Sequence, residues 1–268
     1  MRKLSTFGMY LFLIIVSFIS IFPFIWVGIS ATNSSVDVSK GKLTPGSEFF
    51  NNLNNLLDTT DILIGFKNSA IVSIVTIALA LIVSSMAGYA FVIYESKVKE
   101  IIFSILLLSM MIPFAAILIP LYKLFGQLGL LNSVMGVVLP SVATAFLIFF
   151  FRQNTKAFPK ELLEAGRIDG VSEYGLFFKL FIPTMGSTYA AAAIITFMTA
   201  WNNYLWPLVA LQSADKKTLP LVLSTLNASY VPDYGMIMVG VLISTIPTLI
   251  VFFTMQKRFV EGMIGSVK

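Results

Sequence analysis

Apolar residues run through this chain in long stretches, and polar residues are gathered into the gaps between them. A helix needs about 20 mostly apolar residues to cross the hydrocarbon core of a bilayer. Six stretches have that character: residues 8–29, 68–93, 101–122, 134–151, 184–211 and 235–255. The pattern predicts an all-α polytopic membrane protein with six transmembrane helices. No gap is large enough to hold a second soluble domain. The chain divides into a first helix with its external loop (1–67), a main transmembrane domain (68–256) containing a long polar loop at 152–182, and a short tail (257–268). Within the external part 31–67, the run Asn51-Asn-Leu-Asn-Asn-Leu-Leu57 reads as a short amphipathic helix lying on the membrane surface.

The spans carry their own features. Pro23, Pro113, Pro120, Pro140, Pro207 and Pro247 fall inside them or at their ends, where each removes a helix hydrogen bond and permits a kink. Ser84, Ser85, Ala87, Gly88 and Ala90 in the second span, and Ser187 with the alanines 190–193 in the fifth, let helices approach closely. No span contains Asp, Glu, Lys, Arg or His. A titratable group inside the membrane marks proton relays and voltage sensors, so its absence argues against a proton-driven carrier and moves the expected energy input to a loop.

Composition sharpens this. Hydrophobic residues make up 57% of the chain and charged residues 12%, which fits a membrane protein. Cys and His are both absent, which excludes disulfides, Cys/His metal sites and an imidazole base. No G-x-x-x-x-G-K-[ST] cradle for nucleotide phosphates occurs. The basic residues are scattered among the loops rather than clustered, which does not suit nucleic acid. Placing the N-terminus inside leaves twelve of the 18 Lys and Arg residues in the cytoplasm. The positive-inside rule therefore predicts cytoplasmic termini and a cytoplasmic 152–182 loop. Arg2 and Lys3 precede the first apolar run, as in a signal peptide, but the run is longer than the usual 7–15-residue core of one.

Two polar clusters stand out. In the loop, Phe158-Pro-Lys-Glu-Leu-Leu-Glu-Ala-Gly-Arg-Ile-Asp-Gly170 has Pro159 where a helix can begin, and Glu161 and Glu164 in its first turns, favoured by the helix dipole. Leu162, Leu163, Ala165, Gly166 and Ile168 make a narrow apolar face suited to entering a cleft. Gly170 can end the helix in a left-handed conformation. In the fifth span, Trp201-Asn-Asn-Tyr-Leu-Trp-Pro207 puts two amides into hydrocarbon. Asn202 and Asn203 either bind helices together or face a water-filled path, with Trp201 or Tyr204 stacking on a sugar ring.

Glu164-Ala-Gly166-x-x-x-Gly170, followed by Pro183, resembles the EAA loop of ABC-importer permeases. Asn68-Ser69, Ala87-Gly-Tyr-Ala-Phe91, Met111-Ile-Pro113, Ile119-Pro-Leu-Tyr122, Leu128-Gly-Leu-Leu-Asn132, the 201–207 cluster and Gln256-Lys-Arg-Phe-Val260 extend the likeness from about residue 68 to the C-terminus. Together they resemble the smaller, six-helix permease of maltose-transporter-type carbohydrate importers. That resemblance implies a type I ABC-importer fold in a prokaryotic inner membrane and a transport subunit with no catalysis, cofactor or metal of its own. It also implies a second homologous permease, two ATPase subunits that carry ATP and Mg, and an extracytoplasmic sugar-binding protein. Glu161, Glu164, Ala165, Gly166, Arg167, Ile168, Asp169 and Gly170 would couple to the ATPase, the 212–234 loop would reach the binding protein, and the 259–268 tail would touch the ATPase dimer. Gly166 stands where the family usually has Ala, and Asn203 where it often has an acid. A secondary carrier would instead need an intramembrane ion site. A membrane-embedded enzyme would need paired carboxylates, for which Glu161, Glu164 and Asp169 are the only cluster.

Overall fold

A computed structural model describes residues 2–227 and 230–264; residues 265–268 of the predicted tail lie outside the described residues. The principal helices are α1 (Arg2–Ser30), α2 (Phe49–Thr59), α3 (Ile62–Ile93), α4 (Lys97–Ser109), α5 (Phe114–Gln127), α6 (Val134–Val138), α7 (Ala145–Thr155), α8 (Glu161–Ile168), α9 (Gly186–Trp201), α10 (Leu205–Ala210), α11 (Leu219–Asn227) and α12 (Tyr234–Ile264). Three of the predicted spans are single long helices, in α1, α3 and α12. The other three are bent pairs: α4 with α5 at 104°, Val134–Ser141 with α7 at 46°, and Glu173–Thr184 with α9 at 81°. The six crossings therefore stand, and two of the three breaks fall beside Pro113 and Pro140, where the sequence permits a kink. Pro113 is the extended cap before α5, Pro140 lies just before the second bend, and the fifth stretch breaks again at Asn202.

The chain forms two compact units. The first comprises Met1–Leu63 and Leu219–Pro247. Residues 8–25 of α1 are exposed along their whole length. A helix that is apolar all round and unburied by its own chain belongs in lipid or against another subunit. The segment after α1 is built around Asn52, whose buried amide donates to the carbonyls of Ala31 (3.0 Å) and Asn33 (2.9 Å). Asn33 in turn donates to Ile29 and Thr44. The helix read from 51–57 exists within α2, and one of its faces is taken up by the chain itself. Asn52 and Leu56, four residues apart on one face, turn it into the unit's interior.

The second unit comprises Ile64–Thr218 and Thr248–Lys268. Its centre is the crossing of α3 and α7 at Gly88. A Cβ there would lie 2.6 Å from Phe151 Cβ and 2.8 Å from the Arg152 backbone nitrogen, so only glycine permits the approach. Ala80, Leu147, Phe151 and Ala192 close the same layer. Below it Tyr89, Phe158, Leu163, Leu176, Phe177, Phe181 and Met185 form an aromatic cluster. Glu100 and Arg152 pair across α4 and α7, and the Arg152 guanidinium lies 3.9 Å from the centre of the Phe103 ring.

Gly88→Leu should force these helices apart at a cost of about 1–3 kcal/mol, lowering yield and melting temperature of the detergent-solubilised protein. Gly28→Ala, which meets nothing within 4 Å, should leave both unchanged. Equal stability of the two variants would refute this packing.

Candidate functional site

The loop after α7 folds as the local signals direct. Helix α8 starts at Glu161, with Glu161 and Glu164 in its first turn and Arg167 in its last, each complementing the helix dipole. Its end is a Schellman motif. Gly170 has φ +76°, its N–H donates to the Arg167 carbonyl, and the N–H of Val171 donates to the Gly166 carbonyl at 2.9 Å. Leu163 and Gly166, three residues apart, are buried against the chain itself. A Cβ on Gly166 would come within 2.5 Å of Leu176 Cδ2 and 3.0 Å of Leu180 Cδ1. Gly166 is thus an internal contact and not part of the surface offered to a partner, and Leu163 goes with it.

Arg167 is also engaged within the loop. Its Nε and a terminal nitrogen donate to the two Glu173 oxygens at 2.7 and 3.1 Å, and the Tyr94 hydroxyl donates to the same carboxylate. Arg167 first, and then Tyr94, hold the Glu173 carboxyl below the usual carboxylate range, and Glu173 raises the Arg167 guanidinium further above its already high value. Lys160 pairs with Glu95 at 3.1 Å. The Lys160–Glu95 ion pair therefore fastens the start of α8 to the segment after α3, and at its other end the Arg167–Glu173 pair reaches the same segment through the Tyr94 hydroxyl. Beyond the Ser172 cap, Leu176–Phe181 is wound as a π-helix, a feature nothing in the sequence announced. Left exposed on α8 are Glu161, Glu164 and Asp169, together with Leu162, Ala165 and Ile168 at three-residue spacing. Ile168 is 87% exposed, and Tyr174 beside this loop is 75% exposed.

The second predicted site separates into different roles. Trp201 is 2% exposed and packs on Phe66 and Phe197, so it offers no ring to a substrate. Asn202 caps α9, its amide donating to the Met198 carbonyl at 2.8 Å. Tyr204 is partly exposed at the break. Asn203 reaches a cavity of about 260 Å³ with Phe114, Pro140, Ser141, Thr144, Thr199 and Trp206. Trp206 is itself buried, donating to the Gly136 carbonyl at 2.8 Å. A second cavity of about 290 Å³ shares Ser141, Thr144 and Thr199, and adds Thr76 and Thr196. These hydroxyls were missed by sequence reasoning. The only signal was their three-residue spacing at 141/144 and 196/199. The 212–234 segment contains α11, and its start is pinned in the second unit. The Asn132 side chain accepts from the N–H groups of Gln212 and Ser213, and Asn68 donates to the carbonyls of Asp215 and Lys217.

Comparison with known proteins decides what such a chain is. The model of the family described as "Binding-protein-dependent transport system inner membrane component" matches residues 80–265. The chain belongs to that family. It is 49% identical over 267 residues to the lactose transport system permease protein LacG of Rhizobium radiobacter, covering 100% of this chain and 98% of that one. It is 37% identical over 259 residues to the arabinooligosaccharides transport system permease protein AraQ of Halalkalibacterium halodurans, covering 94% and 93%. Its fold matches, with a TM-score of 0.83, a chain of a bacterial ABC transporter involved in the import of the acidic polysaccharide alginate, at 21% identity and 97% and 98% coverage. This binding-protein-dependent permease is an inner membrane protein with the type I ABC-importer fold, working with an ATPase and a binding protein.

Gly170→Val should destabilise the turn by about 1–2 kcal/mol, because a β-branched residue resists the left-handed region. Hydrogen exchange across 161–175 should accelerate, while exchange in α3 stays the same. Unchanged loop protection would show that the turn does not hold α8.

Proposed function

We propose that this chain is one of two homologous permease subunits of an ATP-driven importer for a neutral sugar or short oligosaccharide, and that α8 is the element through which ATP hydrolysis drives it. The observation that carries the coupling reading is the division of α8. Leu163 and Gly166 anchor it to the chain, and two ion pairs brace it, yet Leu162, Ala165 and Ile168 remain uncovered between acidic residues. An apolar row on a braced cytoplasmic helix suits a cleft on a partner. Glu161, Glu164 and Asp169 then meet basic groups at its rim, where a partly buried pair counts for more than a surface one. Gly170 and Arg167 shape and hold the helix rather than touch the partner.

The sugar reading rests on the full-length likeness to the lactose and arabinooligosaccharide permeases. The excess of Lys and Arg in alternate loops supports cytoplasmic termini. ATP and Mg belong to the partner ATPase, since no phosphate cradle occurs in this sequence. Closure of the ATPase dimer around ATP shifts the permease pair between two packed states, and the shift is as large as the difference in ATP's affinity for them.

Ile168→Asp places a charge on an exposed position and should leave the fold intact. Sugar-stimulated ATP hydrolysis of the reconstituted complex should nevertheless fall at least tenfold, equivalent to about 1.4 kcal/mol. Full stimulation would remove α8 from the coupling path. In proteoliposomes loaded with ATP, uptake of labelled lactose should persist when ionophores collapse proton and sodium gradients. Loss of uptake with ATP still present would return the protein to the secondary carriers.

A further inference from the structure

The two cavities at the broken spans share Ser141, Thr144 and Thr199, and so form one trough. From this we infer that the trough, with Thr76 near one end and Asn203 near the other, is the strip by which this subunit touches the moving substrate. Its chemistry selects uncharged, hydroxyl-bearing rings. The inference rests on the import reading above and adds to it the contact residues and the reason for their specificity.

The trough has no charged residue in its lining. Its polar groups are arranged to present donors and acceptors together. Thr199 gives its proton to the Ile195 carbonyl at 2.7 Å, and Thr196 gives its own to Ala192 at 2.8 Å, so both keep lone pairs to accept a ligand's proton. Thr144 is used the other way. Its oxygen accepts from the Leu147 N–H as the cap of α7, which leaves its proton to donate. A sugar hydroxyl both donates and accepts and is satisfied by such a mixture. An anion asks for donors only, and a cation for acceptors only. Phe114 and Phe146 are partly exposed beside the hydroxyls, 38% and 44%, and offer apolar faces to the C–H side of a ring. Each cavity is at or below the lower end of the roughly 300–1,000 Å³ usual for small-molecule sites, a size for a single ring rather than a whole oligosaccharide. The bends before Ala145 and after Trp201 lie beside the trough. Irregular backbone at membrane depth is tolerated where protein buries it or where it lines a water-filled space.

The natural absence of cysteine makes the test direct. Ser141→Cys, Thr144→Cys and Thr199→Cys would be placed singly in the assembled complex, with Phe18→Cys on exposed α1 for comparison. A small, water-soluble methanethiosulfonate should label the three trough thiols at least tenfold faster than the thiol at position 18. Lactose with the binding protein should slow that labelling severalfold. Thr199→Val should raise the KM for lactose uptake at least threefold, and Thr199→Ser should restore it. Labelling no faster than at position 18 would mean that lipid or a partner helix fills the trough, and would overturn the inference. So would fast labelling with no protection and no change in KM. If the wild-type complex imports neither lactose nor arabinooligosaccharides, the import reading fails, and the labelling rates alone decide whether the trough is the aqueous path.

Discussion

In hydrocarbon, a backbone N–H or C=O without a partner costs several kcal/mol, and this chain breaks three of its six crossings. Side chains near the breaks and chain reversals therefore stand in for water. The indole of Trp206 supplies the Gly136 carbonyl at the end of α6, and the Ser84 hydroxyl reaches Val142 at the bend before α7. The Asn202 amide closes the end of α9, and Asn132, held at φ 56°, accepts from two successive N–H groups after α10 while its own N–H meets the Ala210 carbonyl. Trp206, Ser84 and Asn202 supply donors to freed carbonyls, and Asn132 supplies an acceptor to freed N–H groups. Remove the breaks and reversals, and none of them would be needed. Keep the breaks, and the cavities beside them follow.

The same requirement explains why the aromatic and amide cluster at 201–207 divides as it does. Residues one apart along a helix point in different directions, so Trp201 enters the core, Asn202 turns back on its own helix end and Asn203 faces the trough. A cluster that looks like a single functional patch in sequence becomes three separate roles once the chain bends through it.

The crossings and the loop helix were legible in the sequence because their signals are local. Apolar length marks a span, and Pro159, Glu161 and Gly170 mark where α8 starts and stops. The bends were half legible, because Pro113 and Pro140 marked two of the places but not the size of the turn, and summed hydrophobicity passes over Asn202–Tyr204 without registering a change of direction. The inward face of α8 was half visible. Leu163 and Gly166 share a face by their spacing, but only the return of Leu176 and Leu180 in the π-wound segment shows that the face is already covered. Hydroxyls hidden in apolar runs carry almost no signal at all, which is why the trough emerged only from the structure.

The Arg167–Glu173–Tyr94 group has a mechanical meaning. Tyr94 directly follows α3, an unbroken helix of 32 residues and therefore about 48 Å long at 1.5 Å per residue. The loop helix is thus tied, through Glu173 to Tyr94 and through Lys160 to Glu95, to the end of a helix long enough to cross the bilayer. A small tilt imposed at the α8 end would swing the far end of that helix through a longer arc. The pivot for such a tilt would be the tight crossing at Gly88, where glycine lets one helix bear directly on another.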